Sequence, residues 1–196
     1  MKNLRQTTKQ VRFFMLLICS LCQFGTYYIG DIPAALKTEI LEQFSPKYGQ
    51  ETSEIFFSFL YTFYSIPNIV LPLMGGVLCD RIQSRTIALI TSFIVALGQI
   101  IIFQGYSQQS YELMVLGRFI YGIGGEIIGI AIQSLIIKWF NNHELNFALS
   151  LSLSFLRFGS ISNMIISPRI ADYALFGAII FPSIPLIVSK EQIGKN

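Results

Sequence analysis

Five stretches of this chain are each long and apolar enough to cross a hydrocarbon core as a helix, and a sixth, shorter one follows. Such a crossing takes about 20 predominantly apolar residues. The candidate spans cover residues 11–32, 55–79, 86–103, 113–140, 145–167 and 173–189, the last interrupted by Pro182 and Pro185. Only 13% of residues are charged and 53% are hydrophobic, against about 25% charged in a soluble domain. The pattern predicts an all-α membrane protein with six transmembrane helices. Short connections and the lack of any low-complexity tract predict one membrane domain over residues 1–196. The first apolar run continues to Ile29 with no small-residue cleavage pattern, so it reads as a retained span and not as a signal peptide.

The charges between the spans alternate. Lys2, Arg5, Lys9 and Arg12 precede the first span without an acid. The next connection, residues 37–54, carries Lys37 and Lys47 against Glu39, Glu42, Glu51 and Glu54, and is expected to be an acidic loop. Asp80, Arg81 and Arg85 follow the second span, Glu112 the third, Lys138 ends the fourth, and Lys190 and Lys195 end the chain. Excess Lys and Arg marks the cytoplasmic side. The N-terminus is therefore expected in the cytoplasm and the 37–54 loop in the lumen or exterior, with Arg169 running against the trend. A net charge of +3 is too small to suggest nucleic acid.

Two charges lie inside spans: Glu126 in the fourth and Arg157 in the fifth. At 1.5 Å per residue each is about 20 Å from the cytoplasmic end of its helix, so consecutive antiparallel helices bring them to similar depth. A charge there costs about 2.5–3.5 kcal/mol on insertion scales and by default marks a site. Asn146, Ser150, Ser154, Arg157, Ser160 and Asn163 recur every three or four residues, which puts them on one helical face. One reading is a structural salt bridge with Ser-mediated packing. The other is half of a binding site, with Tyr28, Tyr64 and Asn163 as further ligand contacts.

Arg118 shares the face of Gly122 and Glu126 but lies eight residues away, which suits it to binding helix ends or Asp31. Gly122 and Gly125 suit close helix packing. Asp31, at the end of the first span, is either a headgroup anchor or part of the lumenal mouth. Tyr61, Tyr64, Ser65 and Asn68 share a face of the second span. Cys19 and Cys22 form a C-x-x-C with no second Cys or His pair nearby, Cys79 is alone, and His143 is the only His. They read as buried packing residues, so no metal site or cofactor is expected. No nucleophile–base pair or paired carboxylates suggest an enzyme.

Gly76-Val77-Leu78-Cys79-Asp80-Arg81, followed by Arg85, resembles the signature loop between the second and third helices of the major facilitator superfamily. Gln83-Ser84 stands where its usual Gly-Arg would be. Gly117-Arg118 through Gly122-Ile123-Gly124 resembles the fourth-helix motif of that superfamily. Asp31-Ile32-Pro33-Ala34-Ala35-Leu36, Tyr64-Ser65-Ile66-Pro67-Asn68, Gly125-Glu126, Trp139-Phe140, Glu144-Leu145-Asn146 and Arg157-Phe158-Gly159-Ser160 resemble its lysosomal dipeptide transporter branch, over about residues 11–167. The resemblance implies export of dipeptides, cationic ones favoured, from lysosome to cytosol by alternating access. It implies that the acid at Glu126 and the base at Arg157 contact the dipeptide backbone, and that Gly76, Asp80, Arg81 and Arg85 form a gating motif. A zwitterion suits such a pair, since a carboxylate takes the amine and a guanidinium takes the carboxylate. Without ligand the two could pair with each other. The branch also implies a glycosylated single-pass partner, and the chain has no Asn-x-Ser/Thr sequon of its own. Its members have twelve spans in two halves, with the site between them. Six spans therefore leave two expectations: one half of a transporter, completed by a second half or by a homodimer, or a truncated, non-transporting chain that acts as a fragment or regulatory subunit.

Overall fold

The computed structural model describes residues 9–169. The sixth expected span, the first basic residues and the C-terminal lysines lie outside them. The described residues form eight α-helices: α1 Lys9–Gly30, α2 Ile32–Ala35, α3 Lys37–Tyr48, α4 Gln50–Asn68, α5 Leu71–Arg81, α6 Ser84–Ser107, α7 Tyr111–Trp139 and α8 Asn142–Ile166. A 3-10 turn, Ser167–Arg169, follows α8. No strand occurs among the described residues. Helices α1, α6, α7 and α8 are long and apolar enough to cross a membrane, and α4 with α5 makes a fifth, broken span.

The 37–54 connection is not a loop. It is α3 and the first turn of α4, separated at Gly49, whose φ of 81° lies in the left-handed region that glycine reaches without a Cβ clash. The charges conceal a short apolar stripe. Leu36, Ile40 and Phe44, four residues apart, are all fully buried, and Phe44 packs on Tyr111 with ring centroids 4.2 Å apart. Lys47 Nζ and Tyr48 OH donate to the Gln109 carbonyl at 2.8 and 3.2 Å. They fix α3 over the α6–α7 turn.

The second span bends by 44° between α4 and α5. Pro67 has no N–H for the Phe63 carbonyl, and Pro72 has none for that of Asn68. The backbone crosses the gap with two tight bonds, Ile69 N to Ile66 O at 3.3 Å and Val70 N to Pro67 O at 3.2 Å.

Helices α6 and α7 make the most extensive pairing and run antiparallel. A Cβ on Gly98 would lie 2.7 Å from Tyr121 N, and one on Gly117 would lie 2.8 Å from Gly98 O. Backbones that touch in this way gain dispersion contacts without needing a water-driven core. Helices α1 and α8 run parallel. Arg12 Nη1 meets Glu144 Oε2 at 2.8 Å near their starts, and Ser167 Oγ lies 3.2 Å from Tyr28 OH near their ends. Between these points a Cβ on Gly159 would run into the Phe24 carbonyl. Large apolar side chains point outward, among them Ile69, Leu73, Phe93 and Phe158, as a lipid-facing bundle allows.

Candidate functional site

Helices α1, α4 and α7 enclose a cavity of about 70 Å³. Tyr27, Gly30 and Asp31 line it from the end of α1, and Tyr61 and Tyr64 from α4. Arg118, Tyr121, Gly125 and Glu126 line it from α7. Arg118, Tyr121 and Gly125 follow one another at steps of three and four, and Glu126 lies eight residues from Arg118, so the four share a face. Gly122, one step round, brings α4 against α7: a Cβ there would lie 2.7 Å from Tyr64 O. Gly125 itself opens onto the cavity beside the Tyr121 ring.

Glu126 is half-buried and is held from one side only. Asn68 Nδ2 donates to its Oε1 at 2.9 Å, and Tyr64 OH reaches the same oxygen at 3.4 Å. Among the described residues no cation lies within 4.0 Å of it. Its second oxygen, Oε2, takes no hydrogen bond from the described residues.

Arg118 is 1% exposed. Nη2 donates to the Gly30 carbonyl at 2.8 Å, and the guanidinium carbon lies 5.5–5.6 Å from the ring centroids of Tyr61, Tyr64 and Tyr121. Three π faces and the end of a helix dipole stabilise a cation there. Tyr121 OH donates to Thr26 O at 2.6 Å and closes α1 onto the cavity wall.

The expected ligand residues divide into three places. Glu126 and Tyr64 share the cavity. Arg157 is exposed on α8 and makes no ion pair with Glu126, so the pairing conceived for the ligand-free site is absent. Tyr28 and Asn163 sit on the α1–α8 seam, where Ser167 Oγ donates to Asn163 Oδ1 and lies 3.2 Å from Tyr28 OH, and Asn163 Nδ2 is buried without a partner among the described residues. It is Tyr27, one residue earlier, that faces the cavity. The polar stripe of α8 faces outward at Asn146, Ser150, Ser154 and Arg157, and turns inward only at Asn163.

Asp80, Arg81 and Arg85 are exposed at the opposite end of the bundle, and nothing lies within 4 Å of a Cβ on Gly76. Gly75 makes the close contact there, with Ile130 on α7. Ser84, which replaces the usual basic residue of that loop, accepts from Lys138 Nζ at 2.7 Å and lies 2.9 Å from Ser134 Oγ. Cys19, Cys22 and Cys79 are buried free thiols, and no group of three metal-ligating side chains occurs among the described residues.

Sequence reasoning passed over Tyr27 and Tyr121 as cavity walls and Asn68 as the partner of Glu126, while it placed Tyr61 on one face with Tyr64 and Asn68. Spacing carried a usable signal for Tyr121, three residues from Arg118. It carried none for Tyr27, because the end of α1 sets which of two adjacent tyrosines turns inward.

A family profile described as Major Facilitator Superfamily matches residues 15–189. The mouse (Mus musculus) protein named lysosomal dipeptide transporter MFSD1 is 39% identical over 154 residues, covering 78% of this chain and 32% of that protein. Its human (Homo sapiens) and zebrafish (Danio rerio) counterparts are 38% and 37% identical over the same shares. The chain spans about a third of the length of the curated relatives it matches.

Proposed function

The chain belongs to the Major Facilitator Superfamily, and on that premise we propose that it forms one wall of a transporter for small zwitterionic solutes, foremost dipeptides, with cationic ones favoured. The observation that carries the proposal is Glu126: a carboxylate at mid-span depth, turned into a cavity, with one oxygen unclaimed and no cation beside it among the described residues. A ligand ammonium supplies the missing cation. Arg157 takes the ligand carboxylate from the outward polar face of α8, where a bidentate guanidinium fits a carboxylate. Tyr64 steadies Glu126, while Tyr28 and Asn163 hold α8 in register with α1. Asp80, Arg81, Gly76 and Arg85 form the gating loop.

Charge supports an orientation, and similarity supports a membrane and a direction. The starts of α1, α6 and α8 and the ends of α5 and α7 share one end of the bundle. That end carries Lys9, Arg12, Arg81, Arg85 and Lys138, which supports a cytoplasmic N-terminus. The similarity to lysosomal dipeptide transporters supports a lysosomal or other endomembrane location and movement towards the cytosol by rocking about the midplane. We read residues 1–196 as one membrane domain, with a glycosylated single-pass protein as a candidate partner.

The outward polar face of α8 also favours a second reading. Asn146, Ser150, Ser154 and Arg157 need a polar or aqueous surface opposite them. A second half of a twelve-span protein supplies one, and so does a second copy of this chain or a full-length relative to which it attaches as a non-transporting subunit. Flux of a lysine-containing dipeptide into liposomes separates the two readings. The full gene product and the 196-residue chain are each reconstituted. Uptake above empty liposomes supports transport. No uptake by either, together with co-purification of a relative, favours the subunit.

A further inference from the structure

We infer that Asn68 is a positioning residue that ties Glu126 to the break in the second span, so that whatever occupies Glu126 resets the bend of α5 and with it the loop bearing Asp80 and Arg81. Asn68 is the last residue of α4, and its side chain makes the shorter of the two hydrogen bonds to Glu126, 2.9 Å. Its own backbone carbonyl has lost its helical donor to Pro72. One residue thus ends the rigid part of the span and grips the acid on α7.

The segment beyond Asn68 is weakly tied. Ile69 and Leu73 are 81% and 79% exposed, and only two 3-10-type bonds cross the gap. Helix α5 is guided by α7 at Gly75, which meets Ile127 and Ile130. Among the described residues, α4 and α5 touch each other little. The angle at the break therefore depends on where the end of α4 is held.

A second observation points to an alternative arrangement. Asn68 Oδ1 is buried and has no partner among the described residues, so the contacts they make satisfy only half of the amide. The bond from Asn68 to the carboxylate is charge-assisted, and an ammonium on the open oxygen neutralises the charge that strengthens it. Loading Glu126 therefore loosens Asn68. A broken helix with two positions is the kind of two-state element that coupling between distant sites requires. The final step, release by an ammonium ligand, rests on the proposed role of Glu126. The tie itself does not.

The test measures the bend directly. Nitroxide labels are placed on Ser58 and Val77, both exposed, in the full-length protein in lipid nanodiscs, and their separation is read by pulsed electron resonance. Without ligand, Asn68→Leu and Glu126→Ala are each expected to shift the distance distribution in the same direction. The double variant shifts it no further, and Ser65→Ala leaves it unchanged. Wild-type distributions in both single variants, or shifts that add, overturn the inference. Asn68→Asp, whose carboxylate repels Glu126, replaces Asn68→Leu if the latter does not fold, with the same outcomes decisive. Adding lysyl-alanine is expected to move the wild type towards the Asn68→Leu distribution and to leave Glu126→Gln in place. A wild type that does not bind lysyl-alanine refutes the ligand role of Glu126, and the ligand-free comparison then decides the tie alone.

Discussion

Arg118 Nη2 and the carbonyl oxygen of Gly30 meet at 2.8 Å, and this bond explains how a buried cation is held in an apolar bundle. Helix α1 ends at Gly30. The next donor in line, Ala34 N, bonds the Asp31 carbonyl instead at 3.0 Å. The last carbonyl of α1 is thus left for a side chain, and Arg118 supplies it.

Arg118→Met is expected to destabilise the protein by about 2–3 kcal/mol, from an unsatisfied carbonyl and lost cation–π contacts. Arg118→Lys should recover only part of this, because an ammonium keeps the charge and loses the planar fork. Thermal unfolding in a fixed detergent measures both. Equal melting temperatures for all three proteins would contradict the role given to the bond.

Packing predicts opposite fates for two glycines, Gly98 on the α6–α7 seam and Gly76 on α5. At Gly98 a methyl group meets backbone at 2.7 Å, so Gly98→Ala should cost about 1–3 kcal/mol through overpacking. At Gly76 nothing lies within 4 Å, and Gly76→Ala should stabilise α5 by up to about 1 kcal/mol through helix propensity. Melting temperatures of the two variants should fall on either side of the parent.

Arg12 and Glu144 pair at 2.8 Å with the Arg12 side chain 10% and the Glu144 side chain 30% exposed. Allowing for that partial exposure, Glu144→Gln should cost about 1–2 kcal/mol. Lys9 reaches the same carboxylate only at 3.9 Å from a largely exposed position, so Lys9→Ala should be neutral. A double-mutant cycle on Arg12 and Glu144, repeated at high salt, checks both statements.

Gln109 has a φ of 50° in the α6–α7 turn, where a Cβ is disfavoured. Its carbonyl, not its side chain, receives Lys47 and Tyr48. Gln109→Gly should therefore keep α3 docked and raise stability by about 1 kcal/mol. Gln109→Val should lower it. Unfolding of the two variants distinguishes this from a side-chain role.

Much of the bundle was legible because the bilayer demands long apolar helices: α1, α6, α7 and α8 lie close to the expected spans. Two elements were not. Helix α3 hides its apolar stripe among six charges in residues 37–54, and a three-residue stripe is too short to stand out. The α4–α5 break needed both prolines to act together, whereas each alone is tolerated in a spanning helix. At the site, Glu126 stood out because a carboxylate in an apolar run has few harmless explanations. Arg157 stood out for the same reason, but similar depth did not make it a neighbour. Helical phase, set by how α8 packs on α1 through Gly159, turns it outward.

The most direct test of the account is the affinity of the full-length protein for lysyl-alanine and for its N-acetylated form, by calorimetry, in wild type and Glu126→Gln. If Glu126 receives the ligand ammonium, Glu126→Gln weakens lysyl-alanine binding by at least about tenfold, or 1.4 kcal/mol. Acetylation weakens wild-type binding similarly, and the two losses do not add. Wild-type affinity in Glu126→Gln would contradict the claim that this carboxylate holds the ligand.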